Sequence, residues 1–270
     1  MDIVGKLTNE TRGQLETRRR NAAATLEKNE PGSLRAIQAE QLLAHIDEER
    51  RRRSLPGNIA AFLERFPQGF GDPDYLKEER NDKMLASRAW QEAFVQDAFA
   101  RLDDADLGPL IKRVKDLVNA TNLIQGSFEK PKLFDAIANP EHSRCFLGEL
   151  GALLHGPGEA AERLESFSDY MHSLNLRKWT YGTYFLFLHD PASNLFVKPE
   201  SIKKAAEIAE QDIAYDAAPT AHGYRRILKF ARWIEGHLNR EGRPELVPVD
   251  MIDVQSFIWK MAPTGKFARD

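Results

Sequence analysis

Residues 177–199, RKWTYGTYFLFLHDPASNLFVKP, constrain the fold more than any other stretch of the chain. From Trp179 to Leu188 no charged residue interrupts a dense apolar and aromatic run, so the segment belongs in an interior. Its aromatic and threonine content favours a strand. Its length suits a buried helix equally, and periodicity does not arbitrate between the two. DPASN reads as a turn. LFVKP reads as extended, because the residue before a proline avoids the helical region.

The remainder reads as helices. Residues 8–29 form one, capped by Thr8 or Asn9, and Ser33 starts a second with Leu34, Ile37, Leu42 or Leu43 and Ile46 at helical spacing. Joined by NEPGS, the two make an αα-hairpin. A long helix over about 76–101 carries Met84, Leu85, Trp90, Phe94, Val95 and Phe99, and another carries Leu110, Val114, Leu117 and Val118. Shorter helices cover 130–138, 142–154 and 157–174. The helix at 219–240 turns Tyr224, Ile227, Leu228, Ala231, Ile234 and Leu238 inward. The expected fold is mainly α and multi-helical, with a small β element around 178–197 as the alternative. Its expected parts are a charged hairpin arm (1–54), a helical domain (55–174) and a compact C-terminal domain with an aromatic core (175–270).

Composition narrows the function classes. Of 270 residues 42% are hydrophobic and 29% charged, enough for a core, and the net charge is −3 with a pI near 6.2. Whole-chain attraction to nucleic acid is excluded, which leaves local basic patches. One cysteine, Cys145, builds neither an internal disulfide nor a thiolate zinc site alone. With no run of membrane-span length and no apolar leader, the expected location is the cytoplasm, away from the membrane.

The P-loop, G-x-G-x-x-G, H-E-x-x-H and G-x-S-x-G motifs are absent, so no cofactor is expected. His142 and Cys145, with His155 nearby, have ligand-like spacing but lack a second pair, and a buried cysteine with surface histidines explains them better. Asp103, Asp104 and Asp106 sit where carboxylates favour a helix start. His189 and Asp190 suit acid–base work, yet no nucleophile adjoins them.

Basic residues are more suggestive. Arg225, Lys229 and Arg232 share one helical face, flanked by Arg226, with Lys198 ahead of the preceding helix. Such a surface can track phosphates, although a solvated face with a few salt bridges accounts for it equally. Arg50–Arg53, with Arg18–Arg20 across the hairpin, form a second basic edge at a helix end that favours cations. In PVDMIDVQSFIWKMA, residues 248–262, Asp250 reads as an N-cap and Asp253 as its partner at the third helical position. The stretch is then a capped closing helix.

FLFLHDPASNLFVKP, YRRILKFARWIEGHL and DMIDVQSFIW together resemble a domain of bacterial restriction and anti-phage defence proteins, where it accompanies McrB-like AAA+ ATPases or nuclease modules. The likeness covers residues 177–262. It implies a helical fold, helix for 178–188, and a role beside DNA processing with an ATPase or nuclease subunit as partner. The expectation is a non-enzymatic DNA-binding or accessory subunit contacting phosphates through Lys198, Arg225, Arg226, Lys229 and Arg232. The alternatives are an adaptor docking through the N-terminal hairpin, and an enzyme using His189, Asp190 or Asp253.

Overall fold

The computed structural model describes residues 7–8, 10–99 and 102–262. Among them are twelve helices of eight residues or more and no strand, so the fold is mainly α. None is long and apolar enough to cross a membrane. The described residues fall into two compact units, divided along the chain between Arg65 and Phe66.

In the first unit, α1 (Arg12–Glu27) and α2 (Leu34–Arg53) form the expected αα-hairpin, followed by α3 (Leu55–Arg65). Thr11 caps α1, because Gln14 three residues on completes a reciprocal capping box with it. Of the two caps expected from sequence, Thr8 precedes this position and Asn9 lies outside the described residues. Ser33 caps α2 as expected. Leu7, Leu15 and Ile46 make a small core. Leu34 and Ile37, expected inside, face solvent instead, while Ala36 and Ala39 take the inner face where short side chains let the helices approach.

The second unit begins with the turn at Gly69–Gly71. Gly69 has φ 57°, and a Cβ there would stand 1.9 Å from the Glu245 carbonyl oxygen, so only glycine fits. A turn at Pro73–Tyr75 and a wide π turn at Leu76–Arg80 lead into α4 (Asn81–Ala93). The long helix expected over 76–101 therefore stops early, where Phe94 leaves helical geometry at φ −118°, ψ 51°. Its facing differs as well. Leu85 and Val95 are 59% and 50% exposed, whereas Lys83, Ala86, Ser87 and Trp90 point inward.

Four helices then assemble around a fifth: α5 (Asp104–Asn119), α6 (Glu129–Ala136), α7 (Pro140–His155), α8 (Ala160–Ser173) and the central α9 (Trp179–His189). The β alternative for 178–197 is overturned here. Residues Trp179 to Leu188 are buried on every side, and Phe185 packs on Trp90, Phe146 and Phe167. A lone strand there would leave buried N–H and C=O groups unpaired, and a helix pairs its own. Being apolar all round, α9 has no stripe for periodicity to detect.

Extended residues 195–197 lead to α10 (Pro199–Ile208), then α11 (Ala221–Arg240) and the closing helix α12 (Met251–Met261). Thr220 caps α11, which buries Tyr224, Ile227, Ala231, Ile234 and Leu238 as its period predicts, whereas Leu228, expected inward, is half-buried and Phe230 takes an inner position.

Candidate functional site

The closing helix α12 is polar on two faces, and the two differ in kind. One is sealed. Asp253 and Ser256 lie three residues apart on the same side, and neither is exposed to solvent. The Asp253 carboxylate accepts bonds from the Tyr75 hydroxyl at 2.6 Å, Arg80 Nη1 at 2.8 Å and the Val249 backbone N–H at 2.8 Å. Arg80 also grips Asp250 through both terminal nitrogens, at 2.9 and 2.8 Å. Asp250 caps the helix through the Ile252 N–H. The capping pair read from sequence is thus present, except that Asp253 satisfies Val249 rather than Asp250. Lys83 donates to Ser256 Oγ at 2.8 Å and to Glu79 at 3.0 Å, and Lys260 reaches Glu78 and Glu79.

Burial sets the electrostatics of this lattice. It raises the Asp253 pKa, against the downward pull of the Tyr75, Val249 and Arg80 contacts. It would lower that of Arg80, but bonds from Asp250 and the nearby Asp253 charge outweigh it and hold the guanidinium charged. Burial lowers Lys83, with Glu79 opposing, and raises Tyr75, with the Asp253 charge adding to the effect. A lysine beside a serine hydroxyl has the form of a base and its nucleophile. Here Ser256 is wholly enclosed, Lys83 is bonded to Ser256 and Glu79, and neither lines a pocket among the described residues, so no substrate reaches the pair. The lattice fixes α12 to the 75–87 segment.

The second face is open. Gln255, Ile258 and Trp259 line a pocket with Lys198, Ser201 and Ile202 at the start of α10. The Lys198 ammonium lies 4.3 Å from the centre of the Trp259 ring. Burial lowers its pKa, and Lys83 adds to the shift, against Glu79 and Glu129. Sequence reasoning grouped Lys198 with the α11 cations. The structure groups it with Trp259, and none of the four α11 cations lines the pocket.

Those four share the outer side of α11. Arg225 and Arg232 are each about half exposed and engaged with carboxylates: Arg225 bonds Glu159, the N-cap residue of α8, and Glu162 in its first turn, and Arg232 bonds Glu235 and the Ala192 carbonyl. Lys229 is exposed and Arg226 half-buried. Among the described residues no acid lies within ion-pair distance of either. The Arg50–Arg53 edge is more thoroughly neutralised. Arg50 approaches Glu16, Arg51 pairs with Glu48, and Arg52 and Arg53 share Glu49. Arg53 also binds the Leu7, Thr8 and Glu10 carbonyls, so it staples the hairpin's entry. Arg19 pairs with Asp47 across the hairpin.

The weaker candidates resolve structurally. Cys145 is exposed rather than buried, because Phe146 and Leu147 occupy the inner side of α7. His142 faces the Ala136 carbonyl, and His155 faces that of Phe94. Among the described residues no three potential ligands converge on a metal position. Asp190 makes the expected turn bond to the Ala192 N–H. His189 packs edge-on against His155, and burial, with His155 adding, lowers its pKa and keeps it neutral near pH 7.

No family model, curated protein or solved structure matches the chain.

Proposed function

We propose that the protein is a non-enzymatic accessory component that works by contact with a phosphate backbone, through the outer face of α11. The observation that carries this reading is the amphipathic build of α11: one side buried in the core, the other offering Arg225, Arg226, Lys229 and Arg232 in a row. The glutamates opposite Arg225 and Arg232 weaken the field of this face. Exposed ion pairs of that kind are worth only about 0–1 kcal/mol, so phosphates can exchange for them. The lysine–serine pair with the form of a base and its nucleophile, Lys83 and Ser256, is enclosed. The sequence likeness supplies a setting, a bacterial restriction or defence system with an ATPase or nuclease subunit nearby. An exposed free thiol at Cys145 suits a reducing cytoplasm.

The test is a gel-shift titration with labelled duplex and single-stranded DNA at low salt, comparing wild type with Arg226→Glu/Lys229→Glu. Binding by wild type and its loss in the variant support the reading. Absence of any shift by wild type removes it.

A second reading, a protein–protein adaptor, is favoured by one observation. Leu34, 71% exposed, and Ile37 lie one turn apart beside the hairpin's loop, an apolar pair outside any core. Leu34→Glu/Ile37→Glu would abolish partner capture under this reading and leave it unchanged under the first.

A further inference from the structure

The pocket between the start of α10 and α12 contains polar groups that the fold itself does not use. Ser201 is 3% exposed and Gln255 is 5% exposed, and among the described residues neither Ser201 Oγ nor Gln255 Oε1 has a hydrogen-bond partner. Leaving a buried polar atom unmet costs about 1–3 kcal/mol, and native proteins rarely tolerate it without a reason. Both atoms belong to residues lining the same pocket, beside Lys198. Lys198 is also the N-cap residue of α10, and no side chain caps that helix. Its first turn therefore presents open backbone N–H groups and the positive end of the helix dipole. Pro199 follows at the first helical position, so the open amides are those beyond it.

A water alone would satisfy Ser201 and Gln255. It would not answer Lys198, which has no carboxylate within ion-pair distance among the described residues and rests on the Trp259 ring. The hydroxyl, the ammonium and the helix start all donate. Turning the Gln255 amide over about its last side-chain bond adds a third side-chain donor. The cavity is about 10 Å³, room for one water-sized atom such as a single oxygen and too little for a tetrahedral phosphate. A single lysine balances one negative charge.

We propose that this pocket binds the carboxylate of a small organic acid, one oxygen seated among Lys198, Ser201 and Gln255 and its remaining atoms outside against Trp259. The ligand neutralises the half-buried ammonium, satisfies the Ser201 hydroxyl and takes the open N–H groups of α10. The site is independent of the α11 face.

The test uses the full-length protein, its backbone amides and indole N–H followed by two-dimensional ¹H–¹⁵N spectra. Sodium acetate is titrated at matched ionic strength, with acetamide as the uncharged isostere. The expected result is a saturable shift of the Ser201 amide and the Trp259 indole with acetate and none with acetamide. Ser201→Ala removes an unpartnered hydroxyl, so it folds as wild type does, and it should weaken acetate binding about tenfold. Lys198→Met should abolish binding. If Lys198→Met does not fold, Ser201→Ala decides. Absence of a saturable shift means that the pocket holds water only. Equal response to acetamide, or unchanged affinity in Ser201→Ala, also overturns the proposal.

Discussion

Asp253→Ala is the most informative substitution in the sealed face of α12. It removes the acceptor of three bonds, from Tyr75 Oη at 2.6 Å, Arg80 Nη1 at 2.8 Å and the Val249 N–H at 2.8 Å. Arg80 keeps its two bonds to Asp250, so it is not stranded. The Tyr75 hydroxyl, on a side chain with no exposure, loses its carboxylate, and so does the Val249 amide. At about 1–3 kcal/mol for the buried Tyr75 hydroxyl deprived of its carboxylate, with the broken buried ion pair added and the Val249 amide, on an exposed residue, open to water, the loss should be about 3–5 kcal/mol. For a unit of this size that corresponds to roughly 6–20 °C in Tm. Tyr75→Phe, which leaves Asp253 with Arg80 and Val249, should cost less, about 1–2 kcal/mol. Scanning calorimetry and urea unfolding both read these differences. A loss below about 1 kcal/mol in Asp253→Ala would refute the view that this lattice fixes the closing helix. A Tyr75→Phe loss equal to that of Asp253→Ala would refute the assignment of the carboxylate as its centre. Burial raises the Asp253 pKa above its ordinary 3.8, so stability linked to its titration is present below that value. It is lost as pH rises through the raised one. Acid unfolding is therefore not driven by Asp253.

Glu49 has the opposite sign. Burial would raise its pKa, but bonds from Arg52 and Arg53 lower it below the ordinary 4.5, so its contribution is present above that value and lost as pH falls through the lowered one. Hydrogen exchange should show the α1–α2 hairpin losing protection as pH falls below the ordinary 4.5 of a glutamate, and Glu49→Gln should remove that step. Gly69→Ala should destabilise the second unit by about 2 kcal/mol or more, since it adds a left-handed penalty to a clash with the Glu245 carbonyl; an unchanged Tm would contradict the close approach. Leu85→Gln should stay within about 0.5 kcal/mol of wild type, because the side chain faces solvent, and a loss of core size would place it inward instead.

Much of the helical framework was legible from local signals. Ser33, Thr220 and Asp250 announce helix starts because their side chains accept bonds from the first turn, and Gly156-Pro157-Gly158 marks a break. Where a helix has one buried stripe, as α11 does, periodicity reads it correctly. It fails on α9, which has no polar side, and on α4, where Lys83 and Ser87 occupy the inner face and Leu85 the outer one. Charged residues read as outward until a partner is known, and Asp253 and Ser256, which Arg80 and Lys83 bond, lie on a helix 173 residues further along the chain. A signal was nevertheless present: Lys83, Ser87 and Trp90 recur at spacings of four and three, placing two polar groups on the side of a large aromatic. The open pocket was only partly legible. Lys198 was singled out, but Ser201 and Gln255 are ordinary residues until the start of α10 and the side of α12 come together.

The claim that most needs a direct measurement is the phosphate-contact role of α11. The slope of log affinity for duplex DNA against log salt measures how many phosphates are neutralised, at about −0.9 for each. With Arg226 and Lys229 free and Arg225 and Arg232 able to exchange their glutamates, the account predicts a slope between about −2 and about −4, abolished by Arg226→Glu/Lys229→Glu. No binding at low salt, or a slope that the double variant leaves unchanged, would contradict it.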